Sequence, residues 1–238
     1  MNAPTTRYES IASGEDRFDA FCAVPESGSG AGILLFQEIF GINDNIRLVA
    51  ERLAQAGYTA LAPDMFWRIE RRFERQDESG MADAFAMVQQ FDFVRAVEDI
   101  EASHAHLLAM SECTGKIGAL GFCLGGGLAF AAATLSRVDG HGIDAAVCYY
   151  GSAINDMIDQ VSSLDCPTAF HYGTSDPYIP AENIAAVESA VSGRPGMEFF
   201  RYEAGHAFSN WDAPSMYNKD AAEVAWSRTL DFLARHLA

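Results

Sequence analysis

Apolar residues along the chain fall into two rhythms that alternate from one end to the other. Residues 31–37 (AGILLFQ), 116–122 (KIGALGF), 145–151 (AAVCYYG) and 167–173 (PTAFHYG) are near-continuous apolar runs of strand length, as expected of parallel strands buried on both faces. Residues 19–24 alternate up to Pro25 and predict an edge strand, TALAPD at 59–64 a short one, and the run from Met197 the last of the series. Between them the spacing turns helical. Ile46, Val49, Leu53 and Ala56 recur at helical intervals before the Gly57 stop, residues 81–110 predict two helices, and 124–135, 181–191 and 220–237 predict one each. Residues 65–80 are mixed in charge and predict an irregular excursion. Strands alternating with helices indicate a doubly wound, mostly parallel α/β sheet flanked by helices, and the absence of a linker or repeat indicates a single domain over residues 1–238.

One junction in this series carries chemistry. Gly121-Phe122-Cys123-Leu124-Gly125 lies where a buried strand turns directly into a helix. Glycines two residues either side of a central residue permit a strained turn that exposes its side chain at the carboxyl edge of the sheet, the nucleophile-elbow pattern with Cys in place of Ser. The helix N-terminus that follows favours thiolate over thiol. A phosphate loop would require Lys and Ser/Thr after the last glycine, whereas Leu128 and Ala129 follow here.

A thiol nucleophile needs a base, and the base needs an orienting acid. His104, His106 and His236 fall in predicted helices and are expected to be solvated, His141 sits in a turn, and His171 reads as a satisfied strand histidine. His206 follows Ala204-Gly205 after the last strand, on the same sheet edge as the elbow. Asp176 follows the strand at 167–173, again at a carboxyl end where such sheets place their sites. Cys123, Asp176 and His206 thus stand in the order nucleophile, acid, histidine.

Composition narrows the partners. With 33 acidic and 16 basic side chains the formal net charge is -17, which disfavours nucleic acids and anionic membrane surfaces and makes an anionic substrate depend on a local positive site. The five cysteines show no metal-ligand spacing, no metal or cofactor is expected, and free thiols point to a reducing cytoplasm. No signal-peptide h-region or membrane span is evident.

Taken together, the stretches Gln37-Glu38-Ile39-Phe40-Gly41, Ala62-Pro63-Asp64, Gly121 to Gly126, Tyr149-Tyr150-Gly151 and Ala204 to Phe208 resemble the dienelactone hydrolase (carboxymethylenebutenolidase) family over nearly the whole length. The resemblance implies the α/β-hydrolase fold, a Cys123-His206-Asp176 triad, a Glu38 that meets the resting thiol and helps switch it to thiolate, and an oxyanion hole from the amides of Leu124 and Ile39. It also implies two arginines that grip a substrate carboxylate, one early in the helix after the irregular excursion and one four residues beyond the catalytic histidine. Those positions hold Met81 and Asn210. Arg68, Arg71, Arg72 and Arg75 lie close enough in sequence to replace the clamp, although the interleaved Glu70, Glu74, Asp77 and Glu78 favour a solvated charged loop. Phe40, Met81, Asn210 and Tyr149 are the candidate substrate contacts. The expected activity is hydrolysis of a lactone or small ester, by a monomer or weak homodimer. The rival expectation is a catalytically quiet protein of the same fold that binds or senses a ligand.

Overall fold

The computed structural model describes residues 3–238, so Met1 and Asn2 of the predicted domain lie outside it. Its strands are β1 (Thr5–Ser13), β2 (Asp16–Val24), β3 (Gly30–Phe36), β4 (Thr59–Pro63), β5 (Cys113–Phe122), β6 (Ala145–Tyr149), β7 (Thr168–Gly173) and β8 (Met197–Tyr202). They form one sheet in the order β1-β2-β4-β3-β5-β6-β7-β8, parallel except where β2 meets β1 and β4. The helices are α1 (Asp44–Gln55), α2 (Met81–Gln90), α3 (Phe93–Ala109), α4 (Leu124–Leu135), α5 (Ala181–Val191) and α6 (Lys219–Leu237). This is the α/β-hydrolase fold.

Period-2 alternation assigns each strand residue to a face. In β3, Ile33 and Leu35 pack with Ile46, Val49 and Leu53 of α1 and Phe232 of α6, whereas Leu34 and Phe36 pack with Leu107 of α3 and Phe130 of α4. Both faces are dry, which is why the central strands read as unbroken apolar runs. Burial of each such side chain contributes about 1.5–3 kcal/mol. The Asn43 side chain accepts from the Ile46 amide at 3.2 Å and starts α1.

Two features differ from the sequence expectation. The outer strand is β1, not the run at 19–24, which lies second in the sheet. In β1 only Ile11 is buried, so its sequence carries almost no hydrophobic signal; its pairing with β2 along the full length holds it. His104 is fully buried rather than solvated, with Nδ1 2.9 Å from the Ser136 hydroxyl. It lies on the inward stripe of α3 with Ile100 and Leu107. The excursion at 65–80 has little regular structure, as expected, yet Met65, Phe66, Trp67 and Phe73 are buried beneath it.

Candidate active site

The chain reverses sides of the sheet between β3 and β5, and the crevice at the carboxyl ends of these strands is where an open α/β sheet leaves room for a ligand. Cys123 stands there, between β5 and α4, at φ 54° and ψ -115°. A non-glycine residue in that region is strained, and the surroundings must hold it. They do so through close approach. A Cβ on Gly121 would lie 1.9 Å from the Gly125 carbonyl oxygen, and one on Gly125 would lie 2.3 Å from that of Phe36, so neither glycine of the elbow tolerates a side chain. Backbone bonds from the Cys123 amide to the Tyr149 carbonyl and from the Ser152 amide to the Cys123 carbonyl, both 3.0 Å, complete the turn.

The other predicted residues converge on this point. His206 Nδ1 lies 2.7 Å from Asp176 Oδ2, with both side chains buried. A carboxylate only accepts, so Nδ1 is the donor and Nε2 is left for the cavity. Asp176 Oδ1 accepts the amides of Tyr178 and Ile179 at 2.8 and 3.0 Å. The loops that carry the pair are joined, because Ser175 and Thr174 donate to the carbonyls of Ala204 and Tyr202. Burial alone would lower the His206 pKa, but the adjacent Cys123 side chain and the Asp176 carboxylate outweigh it and hold it well above the ordinary histidine value.

Glu38 follows β3 and is buried. Its Oε1 accepts from the Tyr150 hydroxyl at 3.0 Å and its Oε2 from Asn210 Nδ2 at 2.5 Å. Burial pushes its pKa up, against the opposing pull of His206 and of these two donors. Arg47, the nearest arginine in the following sequence, pairs with Glu74 and Asp44 rather than with Glu38. The thiol of Cys123 has a neighbour that the sequence did not single out: Ser152 Oγ, 3.4 Å from Sγ.

These groups open into a cavity of about 430 Å³. Its apolar lining comes from Ile39 and Phe40 after β3, from Met81, Phe85 and Val88 of α2, and from Leu124, Tyr172, Ile179 and Val187. Of the four candidate substrate contacts, Phe40 and Met81 line the cavity and Tyr149 and Asn210 do not. Strand parity turns Tyr149 to the α1/α6 face with Ala145 and Val147, where its hydroxyl lies 2.6 Å from that of Thr229. Asn210, a short amide where relatives are expected to carry a long guanidinium, ends on Glu38 and does not line the cavity. No Arg or Lys is among the lining residues; Asp156, Asn155 and Asn183 are. The four arginines of the excursion are engaged elsewhere: Arg68 with Asp99, Arg71 with the Arg17 carbonyl, Arg72 with Asp19 and Arg75 with Asp83. They do not rebuild an anion clamp. Tyr150 was inseparable from Tyr149 in sequence, and its positive φ of 34° at the strand end is what redirects it.

Among the described residues no group of His, Cys, Asp and Glu is suited to a metal ion, all five cysteines are free, and no helix is long and apolar enough to cross a membrane.

Comparison with known proteins agrees with the motifs. The profile of the dienelactone hydrolase family matches residues 18–237. A carboxymethylenebutenolidase of Pseudomonas putida is 34% identical over 220 residues, covering 91% of each chain. One from Rhodococcus opacus is 30% identical over 250 residues, covering 98% of this chain and 94% of its own. A solved Klebsiella pneumoniae structure named for dienelactone hydrolase superposes with a TM-score of 0.84 at 27% identity, covering 99% of this chain and all of its own. On the family profile, the sequence relatives and the superposed structure together, the chain belongs to the dienelactone hydrolase family and is a carboxylic ester hydrolase of the α/β-hydrolase fold.

Proposed function

We propose that the protein hydrolyses a small ester or lactone that carries no carboxylate, through a Cys123-His206-Asp176 triad and an acyl-thioester intermediate. The observation that carries this reading is the 2.7 Å His206–Asp176 pair beside a strained Cys123, at the floor of a cavity lined without Arg or Lys. The Cys123 proton passes to His206 Nε2, and Asp176 holds the ring through Nδ1 and stabilises the imidazolium. Sulfur attacks the carbonyl carbon, and the electron pair of the C=O bond moves to oxygen. The amides of Ile39 and Leu124 receive that charge; Leu124 opens α4, so its N–H has no partner four residues back in the helix. Collapse expels the alkoxide, which takes the proton from His206. Water, deprotonated by His206, then cleaves the thioester to release the acid and restore the thiol. Glu38 adds negative charge close to His206 and so favours the imidazolium formed in each half-reaction.

A carboxylate-bearing substrate would enter past Asp156 and Glu38 with no guanidinium to meet it, which costs affinity. In Cys123→Ala, steady-state hydrolysis of p-nitrophenyl acetate should fall by at least about 10³-fold; turnover close to that of the parent would refute the nucleophile. A panel of lactones and esters with and without a carboxylate should give higher kcat/KM for the neutral members. Met81→Arg, the one of the two clamp positions that lines the cavity, should lower KM for the carboxylate members by about tenfold. Preference for the anions in the parent would overturn the neutral-substrate reading.

A further inference from the structure

We propose that Ser152 is a fourth member of the reaction centre: its hydroxyl donates a hydrogen bond to the Cys123 thiolate, in the free enzyme and again as the thioester breaks. This rests on Cys123 being the nucleophile, as inferred above. Ser152 Oγ lies 3.4 Å from Cys123 Sγ, and the residue lines the same cavity. Its position is fixed by backbone rather than chance. The amide of Ser152 donates to the Cys123 carbonyl, the amide of Cys123 donates to the Tyr149 carbonyl, and Tyr150 and Ala153 on either side hold φ values of 34° and 63°. A hydroxyl on this loop cannot drift far from the sulfur.

The carboxylate expected to meet the thiol is otherwise engaged. Both oxygens of Glu38 accept side-chain donors, Oε1 from Tyr150 and Oε2 from Asn210. Asn210 stands at one of the two positions where the family resemblance expects a substrate-binding arginine, and its amide holds Glu38 instead. Ser152 is the side chain that then offers the sulfur an O–H. A hydroxyl can donate or accept, but a thiolate only accepts, so once the Cys123 proton is on His206 the hydrogen of Ser152 points at sulfur.

The chemistry uses this bond twice. Before attack it favours thiolate over thiol. In the acyl-enzyme the sulfur is neutral and a weak acceptor. When water adds and the C–S bond breaks, the bonding pair returns to sulfur, and the Ser152 hydroxyl meets the charge as it forms. No proton leaves Ser152 at any stage; it positions and stabilises, and the proton traffic stays with His206.

The test follows alkylation of Cys123 by iodoacetamide across pH, read by mass spectrometry of the Cys123 peptide so that the other four thiols do not contribute. A hydrogen bond to a charged group is of the size that moves a titration midpoint by about one pH unit. Ser152→Ala should therefore shift the midpoint of alkylation upward by about one unit, slow alkylation on the acid side about tenfold, and carry the acid limb of kcat/KM with it. Ser152→Thr, which keeps the hydroxyl, should restore the parent profile. An unmoved midpoint in a Ser152→Ala protein of parental melting temperature, or an equal shift in Ser152→Thr, would overturn the proposal. Should the alanine variant not fold, Ser152→Val against Ser152→Thr is an isosteric pair differing in the hydroxyl alone and gives the same two outcomes. Failure of the underlying reading looks different: there, the alkylated parent enzyme keeps its turnover.

Discussion

Two carboxylates follow neighbouring strands of this sheet, and both are buried. Glu38 comes after β3 and Asp64 after β4, each within a motif that resembles the family. Burial raises the proton affinity of both, that of Asp64 to about 6. Their partners separate them. Asp64 accepts the amides of Phe66 at 3.1 Å and Arg72 at 2.7 Å, which ties the first turn of the excursion; Arg72 sits there at φ 54°. Glu38 accepts from the side chains of Tyr150 and Asn210, feels His206, and opens onto the cavity. Thus a buried acid in a recognisable motif is not by that fact part of a reaction centre. The partners of Asp64 are backbone amides alone and fix the course of the chain, whereas those of Glu38 are side chains beside the cavity, which is why only Glu38 enters the proposed chemistry.

Reciprocal truncation is the strongest way to break this contrast. Glu38→Ala should lower kcat/KM for an activated ester by about 10²-fold. Asp64→Ala should leave kcat/KM within about threefold but cost about 3 kcal/mol of unfolding free energy, because it strands two buried amides. Urea unfolding and steady-state kinetics on the same two preparations decide the matter, and a reversed pattern would abolish the distinction.

The pH dependence of Asp64 sharpens it further. Its folded pKa of about 6 lies above the ordinary aspartate value, so the folded protein binds more protons than the unfolded one across this window. The stabilising contribution is therefore present below about pH 4 and is lost as pH rises through 6. Relative to Asp64→Asn, the parent should lose roughly 2 kcal/mol of stability between pH 4.5 and 7. A flat difference would mean that the carboxylate is solvated. The smallest effect belongs to Tyr150→Phe, which removes one of the two donors to Glu38 and should cost about 1–2 kcal/mol at neutral pH with the fold retained; no change in urea midpoint would remove Tyr150 from the account.

What could be read in advance depended on how far each signal is local. The elbow is written in five consecutive residues, because the turn geometry excludes side chains at Gly121 and Gly125 and leaves Cys123 exposed at the strand end. That His206 and Asp176 come together was legible because a parallel sheet brings all its carboxyl ends to one edge. Where a side chain's destination depended on a non-local neighbour, the sequence misled. Tyr149 and Tyr150 are adjacent, and only the strand register and the positive φ of Tyr150 send one to the α6 face and the other to Glu38. His104 reads as solvated until α3 packs it against Ser136.

The chain by itself therefore determined the alternation of buried strands and helices, the strained elbow at Cys123, and the placing of Asp176 and His206 after successive strands, since each follows from local periodicity or from a backbone conformation few residues permit. Tertiary structure alone decided which donors reach Glu38, that Asn210 is spent on it, that four nearby arginines point away from the cavity, and that Ser152 stands against the sulfur. Those outcomes depend on contacts between segments as far apart as 172 residues, such as Glu38 and Asn210, and the direction in which a side chain leaves a loop is set by packing rather than by its neighbours in sequence.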